Sequence, residues 1–324
     1  MSSYRQLFLQ HNAQTTFFPL LLEMERAEGV YMWDVNGKRY LDLISGIAVS
    51  NVGHGNKKVI EAITKQAQNY MHLMVYGEFV QGPQVLFAQK LCALLPQSLQ
   101  NVYFVNSGAE AIDGALKLAK RYTGRYKTIS CKNAYHGSSQ GVLSIMGSET
   151  YKQAYRPLIP GNTLIEFGNL DDLNLIDETF ACVVMETVQG EAGIRTSTTE
   201  YFLALKTHCE KHGVLLILDE IQCGMGRSGK MFAFEHYGIV PDILCLSKSL
   251  GGGMPLGAFI SSTQIMHSLA DKPMLGHITT FGGHPVCCAA GLAALNFVID
   301  EKLIDEIKVK EKLFRARLIH PKIK

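Results

Sequence analysis

The chain has 324 residues, room for about two domains on a prior of roughly 150 residues each, and ample for a sizeable core. Hydrophobic residues make up 47% and charged residues 19%, which excludes a disordered or collagen-like chain. With 31 Lys+Arg against 29 Asp+Glu the formal charge is +2, so no broad electrostatic footprint for nucleic acid or an anionic membrane is expected.

The N-terminus has no charged region leading into an apolar one, and no run of about 18 residues is uniformly apolar, so neither a signal peptide nor a spanning helix is expected. Asp34-Val35-Asn36-Gly37-Lys38 reads as a hairpin turn between strands at 30–33 and 39–43, with Asn-Gly supplying positive φ angles. Residues 57–72 have helical spacing through Val59, Ile60, Ile63, Ala67 and Met71. Gly82-Pro83 opens a helix that runs to Leu95 and is ended by Pro96. Residues 102–105 form a short apolar run, followed by a helix over 109–122 with Ile112, Ala115, Leu116 and Ala119 on one face. Residues 126–131 read as a strand and 164–167 as a weaker one.

Residues 181–185, 214–218 and 243–246 are continuous apolar runs bounded by polar residues, which suits strands buried on both faces of a parallel sheet. A helix over 201–212 ends at Gly213, the favoured place for a C-cap. A last strand spans 258–261, and helices over 286–298 and 301–318 close the chain. Strands alternating with helices predict an α/β fold with a doubly wound sheet. The eight cysteines make no C-x-x-C pair, and Cys182 and Cys245 lie inside apolar runs. That is the usage of a reducing cytosol, so a cytoplasmic location is expected. Cys209-x-x-His212 has no matching second pair, so packing is favoured and no metal is expected.

Three of the apolar runs end in charged residues: the first in Glu186, the second in Asp219 and Glu220, the third in Ser247 and Lys248. Open α/β sheets bind ligands outside the carboxyl ends of their strands, so these groups are expected to share one crevice. One such charge would simply mark where a strand reaches water. Three of them, with the glycine-rich loop 251–257 after Lys248, favour a functional site. A second anion candidate, Asn106-Ser107-Gly108-Ala109-Glu110, opens the helix from Ala109. By itself that turn reads as a plain N-cap. Beside an amine and a carboxylate it reads as a phosphate cradle. An amine, an acid partner for a ring nitrogen and a phosphate cradle are what pyridoxal 5′-phosphate requires.

At these residues the sequence resembles the class III, fold-type I pyridoxal-phosphate aminotransferases, most nearly the acetylornithine/ornithine branch. The likeness runs through Asp34 to Asp42, Gly46-Ile47-Ala48-Val49, Asn106 to Ala111, Tyr135-His136-Gly137, Val188-Gln189-Gly190-Glu191, Leu218 to Gln222, Asp242 to Leu256 and His277 to Gly283. It implies that Lys248 is the Schiff-base lysine and proton shuttle, and that Asp219 pairs with the pyridine nitrogen. Ser107, Gly108 and Ala109 would bind the phosphate. Tyr135 would stack on the ring with His136 beside it, Glu186 would sit by the ring, and Gln222 would lie near its hydroxyl. Thr280 would reach the phosphate of the neighbouring subunit in a homodimer. Thr279 and Glu191 would lie near the substrate. The implied reaction moves an amino group from an amino acid or ω-amine to a 2-oxo acid such as 2-oxoglutarate. An aminomutase or racemase of the same fold, or a non-catalytic scaffold, is the alternative.

The resemblance also implies an architecture: residues 1–53 begin a small domain, 54–292 form the large domain around a mostly parallel seven-stranded sheet, and 293–324 return to the small domain. In relatives a further α/β segment completes that domain and carries an arginine that can bind a substrate carboxylate or pair with the residue matching Glu191. The cofactor site is therefore expected to be complete in this chain and the substrate site short of arginines at two places. The other place is Ser138, where acetylornithine enzymes usually carry an arginine that grips carboxylate through paired, charge-assisted bonds. Thr187 stands for a common proline, and His284 for a common asparagine.

Overall fold

The computed structural model describes residues 4–322. Near the start, β1 (Met24–Glu28), β2 (Tyr31–Asp34) and β3 (Arg39–Leu41) form a small antiparallel sheet. Asp34 closes the turn between β2 and β3. Its Oδ1 accepts the N–H groups of Asn36 and Lys38 at 2.9 and 3.0 Å, and its Oδ2 accepts the Tyr40 hydroxyl at 2.9 Å. Only Gly37 of the Asn-Gly pair takes positive φ, at 77°, because the Asp34 side chain does the work assigned to a second left-handed residue. β3 also ends earlier than expected. Asp42 leaves the ladder to accept the N–H groups of Ile44 and Ser45 and to pair with His54 Nε2 at 2.7 Å. β1 and the helix Tyr4–His11 carry no sequence pattern that announces them; β1 exists through its pairing with β2.

The second sheet contains β4 (Asn101–Val105), β5 (Lys127–Cys131), β6 (Asn162–Ile165), β7 (Phe180–Glu186), β8 (Leu215–Asp219), β9 (Ile243–Leu246) and β10 (Gly257–Ser261). Its order is β4-β10-β9-β8-β7-β5-β6, and β10 alone runs antiparallel to its neighbours. The continuous apolar runs are explained by burial on two sides. Val183, Met185, Leu216, Leu218, Leu244 and Leu246 join one core with Phe87, Phe202 and Leu295. Cys182, Val184, Ile217, Ile243 and Cys245 join the other with Ile112, Ala115, Ala119 and Phe259. This is the mostly parallel, seven-stranded sheet flanked by helices that the resemblance implied.

Boundaries moved where side chains intervene. β6 lies two residues earlier than the weak strand at 164–167, because Glu166 N–H turns aside to Asp172 Oδ2 at 2.7 Å. The helix expected over 57–72 is Lys57–Asn69, stopped as Tyr70 becomes extended. The closing helix expected over 301–318 is Ile307–Arg317. Before it, Glu301 and Leu303 fold their N–H groups back onto Phe297 and Val298, and Lys302 takes a left-handed φ of 50°. Among the described residues no helix is long and apolar enough to cross a membrane.

The helix Pro285–Asp300 presses Gly291 onto the loop after Lys248. A Cβ there would sit 2.5 Å from the Leu250 carbonyl oxygen and 2.6 Å from the Phe87 ring. Alanine would gain about 1 kcal/mol of helix propensity but overpack a contact with backbone, at about 1–3 kcal/mol. Gly291→Ala is therefore expected to lower the urea midpoint of unfolding; a raised midpoint would show that the loop yields freely.

Candidate active site

Parallel strands deliver their carboxyl ends to one edge, and the charged residues collect there. Glu186 at the end of β7 is in register with Asp219 at the end of β8, and Asp219 with Cys245 in β9, three residues before Lys248. A cavity of about 240 Å3 lies at this edge. Gly108, Ala109, Tyr135, His136, Glu186, Glu191, Asp219, Gln222 and Lys248 all line it.

Each side chain has a structural cause for its place. Asp219 is 5% exposed; its Oδ2 accepts from His136 Nδ1 at 2.8 Å and its Oδ1 from Ile221 N–H at 3.0 Å. Burial works hardest to lower the basicity of His136, but the hydrogen bond and charge of Asp219, with the charge of Glu186, outweigh it and raise the imidazole above its ordinary range. Burial, aided by the Asp219 charge, pushes Glu186 up to about 7, against the pull of His136 and of the Tyr135 and Gly190 N–H groups that Glu186 accepts. Lys248 has a left-handed φ of 47°, and burial lowers its pKa although Asp219, Glu191 and Glu186 oppose that. A partly desolvated amine of this kind is closer to its neutral, nucleophilic form.

The helix Gly108–Thr123 opens at the same edge. Ser107 is its N-cap, accepting Glu110 N–H at 3.2 Å, while Glu110 reaches back to the Asn106 N–H and side-chain amide, both at 2.8 Å. So the cap reading of this turn holds, and the Ser107 hydroxyl is engaged in it. Gly108 and Ala109 lie on the cavity wall at the first turn, where N–H groups have no intrahelical acceptor. A Cβ on Gly108 would come within 2.9 Å of Ile221 Cδ1, and one on Gly137 within 2.7 Å of Ala109 Cβ. Tight packing thus requires glycine at both positions and keeps side chains off the helix start. An unsubstituted helix start, a buried carboxylate and a partly desolvated lysine fit the phosphate, ring nitrogen and aldehyde of pyridoxal phosphate.

Tyr135 is half-exposed on the cavity wall and is not core packing, whereas His136 is buried. Gln222 donates to Glu191 at 3.4 Å. Thr279 and Thr280 are not brought to the cavity of their own chain. Thr279 Oγ1 accepts from Asn106 Nδ2 and Gly282 N–H instead, and Thr280 is exposed. Glu220 turns away from the crevice. It is 1% exposed and accepts the Thr187 hydroxyl at 2.9 Å and the Ala233 and Phe234 N–H groups at 2.7 and 2.6 Å. Thr187 thereby gains a role as a donor. Ile221 was missed in the sequence as a site residue, since its contribution is a backbone N–H and a wall for Gly108.

The fold and this edge now have a family. A family model described as Aminotransferase class-III matches residues 12–322. Acetylornithine aminotransferase from Caldanaerobacter subterraneus subsp. tengcongensis is 38% identical over 313 residues, covering 93% of this chain and 76% of the relative. A [LysW]-aminoadipate semialdehyde/glutamate semialdehyde transaminase from Sulfurisphaera tokodaii is 36% identical, covering 92% and 76%. Among solved structures, ornithine aminotransferase from Toxoplasma gondii ME49 superposes with a TM-score of 0.90 at 29% identity, covering 99% of this chain and 77% of that one. The chain belongs to the class-III aminotransferases, enzymes that transfer an amino group to a 2-oxo acid.

Glu186 and Glu220 both have folded-state pKa values of about 7, above an ordinary 4.5, and burial is the leading cause for each. Their contribution to stability is present below about 4.5 and lost as pH rises through about 7. Glu220→Gln is uncharged throughout, so its urea midpoint is expected to fall less than that of the wild type between about pH 5.5 and about pH 7.5. Equal falls would remove Glu220 from this account.

Proposed function

We propose that the cavity at the strand ends binds pyridoxal phosphate and that this chain uses it to transfer an amino group from a primary amine to a 2-oxo acid, with 2-oxoglutarate as the acceptor to test. The observation that carries this reading is the meeting of Lys248, Asp219 and the helix start at Gly108–Ala109 in one cavity. When bound, the cofactor supplies an electron sink for the pair left on the substrate carbon as its proton departs. Lys248 Nζ would hold the cofactor through its aldehyde carbon and, once freed, would move the proton of the substrate carbon. Asp219 keeps a proton on the ring nitrogen, and His136 orients Asp219 through the 2.8 Å bond. Gly108 and Ala109 donate backbone N–H groups to the phosphate, with Ser107 holding the helix start in shape. Tyr135, Glu186 and Gln222 line the same cavity, where Tyr135 would cover one ring face, Glu186 would stand beside the ring and Gln222 would lie near its hydroxyl.

Lys248→Ala should abolish turnover and the visible absorbance of the lysine-linked cofactor. Asp219→Ala should keep the lysine link but lower turnover by roughly a hundredfold or more, in line with loss of a preorganised charge. A Lys248→Ala protein with full activity would sink the proposal. A requirement for a stoichiometric oxo-acid would separate it from an aminomutase.

Thr280 acts across a subunit boundary in this reading, with Thr279 near the substrate, which makes the active form a homodimer. Support comes from the apolar residues beside them: Ile278 is 50% exposed, Phe281 54% and Phe79, which lines a cavity with Thr279, 56%. Phe281→Asp is expected to shift sedimentation toward monomer and to weaken cofactor retention together. A monomer that retains cofactor fully would refute the shared site.

A further inference from the structure

β7 and β8 bring Glu186 and Asp219 side by side as the last register pair of their ladder. One position further on, side chains take over the link between the two strands. The Thr187 hydroxyl donates to Glu220 Oε1 at 2.9 Å. Side chains alternate along a strand, so Glu186 and Asp219 line the cavity while Thr187 and Glu220 lie behind its wall. Thr187 is 0% exposed and Glu220 1%, so water does not compete for this bond.

Glu220 is itself fixed from several directions. Its Oε2 accepts Ala233 N–H at 2.7 Å and its Oε1 accepts Phe234 N–H at 2.6 Å. Its own N–H donates to the Cys245 carbonyl of β9 at 3.0 Å, three residues before Lys248, and its carbonyl accepts Gly224 N–H at 2.9 Å. Glu220 is therefore a post set in the ends of β8 and β9, and the Thr187 hydroxyl ties the end of β7 to it. The pair Glu186 and Asp219 is held on one side by the backbone ladder and on the other by this tie.

We infer that Thr187 is a positioning residue for the reaction: through its bond to Glu220 it sets the spacing of Glu186 and Asp219 across the cofactor cavity. The inference rests on the transamination reading above. Spacing matters because these groups act on one another. The Asp219 charge adds to the burial that raises Glu186, and both charges favour the protonated form of His136. Strand ends that part change those couplings and shift Asp219 relative to the ring nitrogen it serves. A displacement of about 1 Å in a reacting constellation can cost roughly a hundredfold in rate. A hydroxyl that only satisfied a buried carboxylate would contribute to stability and leave the cavity unchanged.

Thr187→Val keeps the shape of the side chain and removes the hydroxyl, and Thr187→Ser keeps the hydroxyl. Each full chain, loaded with pyridoxal phosphate, is mixed with L-glutamate, the amine that corresponds to 2-oxoglutarate, and conversion of the cofactor to its amine form is followed by absorbance. Thr187→Val should slow conversion at saturating glutamate about tenfold, with the half-saturating concentration changed less than about twofold, and Thr187→Ser should restore most of the rate. An unchanged rate in Thr187→Val, or an equal loss in Thr187→Ser, overturns the inference. If the wild type does not convert glutamate, the transamination reading fails for that amine, and the cofactor-free chain decides about Thr187 separately. His136 is bonded to Asp219 and has its proton favoured by both carboxylates, so its titration, followed by nuclear magnetic resonance with isotope-labelled histidine, reports their spacing. It should move to lower pH in Thr187→Val and stay in place in Thr187→Ser. A His136 that does not move, or moves upward, while the urea midpoint falls shows a merely structural hydroxyl and overturns the inference. Should Thr187→Val not fold, Thr187→Ala, which also lacks the hydroxyl, is judged by the same outcomes.

Discussion

Parallel strands cannot be joined by tight turns, so each must send the chain through a crossover and start again from the same edge. In this molecule β5, β7, β8 and β9 obey that constraint and release the chain at one edge of the sheet. β4 belongs to the same arrangement although β10 separates it from β9, since two antiparallel pairings leave β4 and β9 pointing the same way. Residues separated by more than a hundred positions, such as Ala109 and Lys248, therefore line one small cavity. β10 contributes by arriving from the opposite direction. Gly257 pairs with Val105, and a Cβ on it would lie 2.3 Å from the Ser107 carbonyl, so the helix start can close over the strand only because glycine stands there.

Once the strand ends are together, electrostatics differentiates them. Asp219, Glu186 and Glu220 are all nearly buried carboxylates, yet their surroundings divide the work. Asp219 faces an imidazole and a backbone N–H. Glu186 accepts two N–H groups and has a pKa raised to about 7, so it exchanges charge near neutrality. Glu220 faces a hydroxyl and two N–H groups and fastens the segments at Thr187 and Ala233. Adjacent positions 219 and 220 point to opposite sides, so one carboxylate serves the cavity while its neighbour ties down the wall behind it.

Much of this was legible in the residues. Strands buried on both faces read as unbroken apolar runs, and β7, β8 and β9 were recognisable for that reason. Strand-end charges at 186, 219 and 248 and a capping turn at 106–110 were visible because position along a parallel strand determines where a side chain emerges. Other features were hidden in tertiary partners. β1 needs β2 to exist, and the end of β3 depends on His54 meeting Asp42. The direction of Glu220 depends on Thr187 and on the backbone at 233–234, which periodicity does not reveal. Thr279 and Thr280 mark the other boundary, since their distance from their own cavity is a property of the folded chain.

Strained backbone borders the cavity of about 1000 Å3 that Ile47, Asn133 and Lys248 line. Lys248 is left-handed, and so are Ser45, Gly46, Ile47 and Ala48 in succession. Left-handed helical geometry costs a non-glycine residue about 1–2 kcal/mol, and Ser45, Ile47 and Ala48 are not glycine. Such a turn persists because its surroundings over-determine it. Asp42 caps its start through Ile44 and Ser45, His54 anchors Asp42, and Arg227 holds the Ala48 carbonyl at its end. One contact therefore ends the turn that sets Gly46 and Ile47 on the wall of that cavity.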